Sequence, residues 1–149
     1  MLPGELLAIY IAPHKTAELR RVDEARAVPG CGLEGDRYFL PGGAEPDRET
    51  TLIEIETIEA LARDCNIPLD AGQARRSLVT RGVALNHLVG KEFLVGEVRL
   101  KGMRLCEPCD HLESLTVAGV KNALRHRGGL RAQIVAGGRL RPGDPVRPL

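Results

Sequence analysis

The stretch SLVTRGVALNHLVGKEFLVGEVRLKGMRL, residues 77–105, limits the fold more than any other. Gly82, Gly90, Gly96 and Gly102 cut it into short β-prone runs, six to eight residues apart. Runs of this length suit strands and turns and are too short for stable helices. FLVGEVRL, residues 93–100, reads as a hairpin or a strand bent at Gly96. The rhythm recurs elsewhere. ELLAIYIA (5–12) predicts a first strand, RRVDEARAV (20–28) alternates as a strand does, and 128–149 returns to strands broken by GG and PGD. PGCGLEGDRYFLPGG (29–43) has five glycines and two prolines in fifteen residues and reads as a loop.

Helical signals are fewer. TTLIEIETIEALARDC (50–65) begins as a strand and turns helical, with Ile55, Ile58, Leu61 and Ala62 on one face. Residues 66–76 read as a connector with a short helical turn. A second helix is expected from about Val117 to Arg127, and Asp110 with Glu113 resembles an acidic capping box. The expected class is therefore mainly β with a few helices (α+β), in one domain over residues 1–149. Many short, glycine-bent strands are most economically arranged as a closed or nearly closed β-barrel. No βαβ alternation runs along the chain.

Composition narrows the partners. Basic and acidic residues nearly balance at a net charge of +1, which gives no general polyanion binder. Aromatic residues are 3% of the chain, too few to suggest a stacking platform for nucleic acid. The segment Lys121–Arg131 does concentrate Lys121, Arg125, Arg127 and Arg131 without an acid, a local basic patch or a solvated face. The opening MLPGELLAIYIAP lacks an early positive charge and is interrupted by Glu5, unlike a signal peptide or a membrane span. The expected compartment is cytoplasmic, with reduced thiols and no membrane partner.

The chemistry concentrates in RLCEPCDHLE, residues 104–113. Its C-x-x-C admits a redox dithiol, half of a zinc site, two inert buried thiols, or one working thiolate. A dithiol motif belongs in an α/β setting, which the flanking β-meander is not. Zinc needs four ligands, yet Cys31, Cys65 and the four histidines are scattered. A thiolate near a helix start and a cation such as Arg104 makes a nucleophile or a soft-metal ligand. Cys109, next to the expected helix start, is the better placed thiol. Cys106 lies at a strand end and points toward the core.

Several stretches in order resemble one family: GLEGDRY (32–38), ARRSLVTRGVALNHLVGKEFLVGEVRL (74–100), CEPCDHLE (106–113), RGGLRAQIVAGG (127–138) and RPGDPV (141–146). The chain resembles the MOSC domain, the C-terminal domain of molybdenum cofactor sulfurases, in its small stand-alone bacterial form. That resemblance implies a β-barrel that binds the molybdenum–pterin cofactor, a molybdenum ion held by the dithiolene of a phosphorylated pterin. It implies that Cys109 ligates the metal or carries sulfur. It also implies one of three activities: reduction of N-hydroxylated small molecules with electrons from a partner protein, sulfur transfer through a cysteine persulfide supplied by a cysteine desulfurase, or non-enzymatic carriage of the cofactor.

Arg37 and Arg76 match family positions that grip the phosphate, and Lys15 is a weaker match. Arg127, with Gly128 and Gly129, adds a guanidinium and close-approaching backbone. Plainer readings stand beside these. Arg37 and Asp36 form a loop ion pair, Asp36 caps its own turn, Arg76 is a surface cation, Arg125–Arg127 is a solvated helix end, and His87 and His111 are structural. Asp36 and Ser77 complete the expected cofactor contacts. Ser77 stands where the family pattern has Asn, with a shorter reach. Cys106 is additional to the pattern. No iron–sulfur spacing is present, so electrons would come from a partner.

Overall fold

The computed structural model describes residues 4–149. Met1–Pro3, part of the opening apolar run, lie outside the described residues. Eleven strands appear in chain order: β1 Gly4–Ile11, β2 Arg20–Val22, β3 Ala25–Val28, β4 Gly32–Leu33, β5 Thr50–Glu54, β6 Leu78–Arg81, β7 Glu92–Val95, β8 Val98–Leu105, β9 Leu130–Ala136, β10 Gly138–Leu140 and β11 Pro145–Pro148. Three helices accompany them: α1 Ile55–Cys65, α2 Asp110–Leu115 and α3 Val120–Ala123. The main sheet runs β11-β7-β8-β9-β5-β6-β1-β2, and an additional β11–β1 pairing closes seven of these strands into a barrel. The expected mainly-β barrel with a few helices is the observed architecture. A small sheet, β10-β3-β4, flanks it.

The sequence pattern explains closure. Leu6, Ile9, Leu52, Leu78, Phe93, Leu100, Leu130 and Val146 fill the barrel interior. Alternate residues of the same strands, Ala8, Ile53 and Val79, face outward under α1, α2 and α3, where Ile58, Leu61, Leu112 and Leu124 cover them. Strands β5 and β6 are thus buried on both faces, which is why their apolar runs do not alternate. Of the four punctuating glycines, Gly82, Gly90 and Gly96 turn with positive φ. Gly102 lies within β8, and a Cβ there would strike the Leu88 carbonyl.

Four local readings change. The run 20–28 is two strands, not one, because Asp23–Glu24 bend between β2 and β3. One crossover does occur: β5 and β6 pair in parallel, joined by α1. The covered face of α1 is Thr57, Ile58, Ala60 and Leu61, with Ala62 exposed, since the helix sits on the sheet slightly rotated from the expected stripe. The helix expected over 117–127 is only Val120–Ala123, between Gly119 at φ 95° and His126 at φ 62°. The 3-10 turn Ala71–Ala74 fulfils the expected connector and carries a true capping box from Asp70 and Gln73.

Glu49 is a buried acid within this scaffold. One carboxylate oxygen accepts both Gly30 N–H at 2.8 Å and Ile134 N–H at 3.3 Å. Burial pushes its carboxyl above the usual glutamate value, against those two hydrogen bonds. A carboxyl raised on folding favours the fold fully below its unfolded value. That contribution is lost as pH rises through the raised, folded value. Glu49→Gln keeps an acceptor for both N–H groups and removes the charge. Thermal melts across pH 4–8 should show a higher midpoint than wild type at neutral pH and a flatter pH profile.

Candidate functional site

The CEPC loop leaves β8 and enters α2 under several restraints. Cys106 N–H donates to the Gly129 carbonyl at 2.7 Å. The Glu107 carboxylate accepts His126 N–H at 2.7 Å and lies 2.8 Å from His126 Nδ1. Gly128 packs beneath the loop, and a Cβ there would meet the Cys106 carbonyl and Pro108. Gly128 and Gly129 therefore serve close backbone packing in this fold. Cys106 is 3% exposed, whereas Cys109 is exposed and occupies the N-cap position of α2.

The capping box expected from Asp110 and Glu113 does not form. Asp110 is the first helical residue and pairs with Lys121 Nζ at 2.9 Å. Glu113 instead accepts Gly119 and Lys121 N–H, tying α2 to the start of α3. Arg104 is likewise engaged elsewhere, 2.7 Å from Asp47 Oδ2, and the Asp47 carboxyl lies below its usual value chiefly through that bond.

A pocket of about 100 Å³ opens beside the loop, lined in part by Cys106, Glu107, Cys109, His111 and four arginines, Arg37, Arg75, Arg76 and Arg131. A larger cleft of about 730 Å³ also has Arg75 in its wall, with Tyr10, Glu18, Asp70 and Gly72 among others. Arg37 is nearly buried. It pairs with Asp36 at 3.0 Å, donates to the Arg75 carbonyl at 2.9 Å, and lies over the Tyr38 ring. Asp36 also accepts Ala12 N–H at 3.2 Å, so it binds the end of β1 and does not cap its own turn.

Arg76 is buried and is not a surface cation. Its guanidinium donates to the carbonyls of Gly128 at 2.7 Å, Cys106 at 3.0 Å and Ala74 at 3.4 Å. Arg75, missed by sequence reasoning, donates to Ala17 and Lys15 carbonyls at 2.7 and 2.6 Å. Burial, then the neighbouring Arg37 charge, lowers it from the usual arginine value. Its signal was present: Arg75 and Arg76 are adjacent, and adjacent residues diverge.

The remaining expected contacts spread out. Ser77 is buried behind the pocket, its N–H on Thr51 Oγ1 at 3.0 Å. The Lys15 side chain is exposed and outside the pocket lining. Arg127 also lies outside that lining; it donates to the Ala123 carbonyl at 2.8 Å and reaches Cys65 Sγ at 3.8 Å. Within the basic patch 121–131, Lys121, Arg127 and Arg131 thus turn to separate partners. His111 is exposed and lines the pocket instead of supporting the core. Among the described residues, no group of three or more His, Cys, Asp or Glu is placed to hold a metal, so the four-ligand zinc reading lacks its ligands.

The MOSC domain family matches residues 41–147, most of the chain. The chain belongs to the MOSC domain family. Structural likeness extends the match to the first strands. The YuaD protein from Bacillus subtilis superposes with TM-score 0.80 over 97% of this chain and 94% of its own, at 17% identity. YiiM from Geobacillus stearothermophilus gives 0.78 over 99% of this chain and 75% of its own, at 15% identity. YiiM from Escherichia coli gives 0.70 over 99% and 68%, at 19% identity. No curated protein matches the sequence. The MOSC domain is associated in general with molybdenum cofactor binding. This chain's donor set fits such a group: an exposed thiol suits a soft metal, and the arginines that share its pocket suit an anionic one. Among the described residues, no helix is long and apolar enough to cross a membrane.

Proposed function

We propose that this MOSC domain binds the molybdenum–pterin cofactor and reduces N-hydroxylated small molecules with electrons from a partner protein. The observation that carries this reading is the exposed Cys109 thiol in a pocket with four arginines. When bound, the group supplies a two-electron redox centre. Each turnover takes two electrons and two protons, and converts N–OH to N–H with release of water. Cys109 holds the metal as thiolate, the one soft ligand the chain exposes there. Arg75 and Arg76, each bound to backbone carbonyls, give the pocket fixed positive charge with little reorganisation, while Arg37 is neutralised by Asp36. The larger cleft that shares Arg75 with the small pocket has the room for a pterin that the small pocket lacks.

The test is oxidation of a dithionite-reduced viologen by an N-hydroxylated purine in the presence of cofactor-loaded protein. One amine should form per two electrons consumed. Fully loaded protein that turns over none of a panel of N-hydroxylated bases contradicts the reading. The same exposed thiol also favours a second reading, sulfur transfer, in which Cys109 accepts sulfane sulfur from a cysteine desulfurase. Mass spectrometry after incubation with the desulfurase should then show Cys109 heavier by one sulfur. A cofactor carrier, the third reading, would bind and release the group without turnover.

A further inference from the structure

Among the pocket's arginines, Arg131 differs from the rest. Arg37, Arg75 and Arg76 each make at least two hydrogen bonds of 3.0 Å or less to protein oxygens. Arg131, on β9 opposite Arg104 of β8, has one long contact, from Nη1 to the Asp47 carbonyl at 3.4 Å. Its Nε is buried and without a partner. A buried N–H left without an acceptor is unfavourable, and other atoms of the same side chain line the pocket. The natural counter-group, the Asp47 carboxylate, makes its side-chain hydrogen bond to Arg104 and acts on Arg131 through charge alone.

Charge points the same way. The lining holds four guanidinium groups and one carboxylate, Glu107, which already serves His126; of the four, Arg37 is matched by Asp36 behind it. Planar, forked donors favour carboxylate and phosphate oxygens. Space narrows the choice of ligand. At about 100 Å³ the pocket holds a compact oxyanion but not a whole pterin, and it contains Arg131 together with Cys109. What reaches Arg131 is therefore what is brought to the thiol end.

We infer that Arg131 is a specificity-determining residue, selecting N-hydroxylated substrates that carry a carboxylate or phosphate near the reacting nitrogen. This rests on the proposed reaction for its substrate class, but the anion site itself does not. Calorimetric titration of cofactor-free protein with inorganic phosphate, and separately with benzoate, tests the site and distinguishes the two anions. Wild type should bind at least one of them. Arg131→Gln should weaken binding about tenfold or more, and Arg131→Lys should restore part of it. Arg147→Gln, an exposed cation on β11, serves as the charge-matched control. Absence of binding in wild type, or equal binding by Arg131→Gln, overturns the site.

In loaded protein, phenylhydroxylamine is compared with its ring-carboxylated analogue. Wild type should favour the carboxylated compound about tenfold or more in kcat/KM, and Arg131→Gln should erase that preference through KM. An unchanged preference in the variant overturns the specificity role. Reduction of neither compound, with anion binding intact, overturns the reaction and the substrate class while the anion site stands.

Discussion

Cys109→Ala loses molybdenum and pterin on purification and lowers activity by roughly 100-fold or more, whereas Cys106→Ala keeps most of both. The magnitude follows from ligand removal, since even loss of a group supporting a metal ligand costs about 10–100-fold. The asymmetry follows from placement. Cys109 is exposed at the start of α2, while Cys106 is buried and its hydrogen bonds are made by its backbone. Removing one buried sulfur costs stability of about 1 kcal/mol and leaves those bonds in place. Both variants are compared for bound metal, pterin and reduction of an N-hydroxylated base. Equal loss in Cys106→Ala means that the two thiols act together, as a dithiol or a persulfide pair.

Arg76→Met destabilises the protein by about 3 kcal/mol whether or not cofactor is present. Three carbonyls, of Ala74, Cys106 and Gly128, lose a donor in the interior. Each unmatched group costs about 1–3 kcal/mol, and partial relaxation keeps the sum near the lower end. At about 2–4 °C per kcal/mol the melting midpoint falls by about 6–12 °C. The loop that carries Cys109 is also untied from β6 and β9, so cofactor retention falls too. Melts of the cofactor-free protein separate this role from a phosphate grip. An unchanged midpoint with weakened cofactor retention identifies Arg76 as a ligand contact and not as the brace of the loop.

The barrel was legible because its signals are local. Glycines at fixed intervals with β-prone runs between them can hardly fold otherwise, and Gly82, Gly90 and Gly96 do sit at turns. Closure by β1 and β11 pairs the two ends of the chain and leaves no local trace. The same limit governs the site. Cys106 at the end of β8 and Cys109 at the start of α2 are separated by the proline and the strand-to-helix change that the residues themselves announce. Glu107 with His126, and Arg76 with Gly128, are pairs 19 and 52 residues apart, and nothing near either member foretells the other. Asp110 and Glu113 have capping chemistry, but distant partners, Lys121 and Gly119, take them up. Arg131 looks like one member of a basic run. Only the fold shows that the other arginines of its pocket are satisfied and that its Nε is not.

The most direct measurement is metal analysis joined to pterin fluorescence after oxidation, on wild type and Cys109→Ala. Both proteins are expressed in a cofactor-producing host with added molybdate. The expected result is nearly one molybdenum and one pterin per wild-type chain, and neither in the variant. Wild-type protein without either, from cells in which another molybdoenzyme loads fully, would contradict cofactor binding through Cys109.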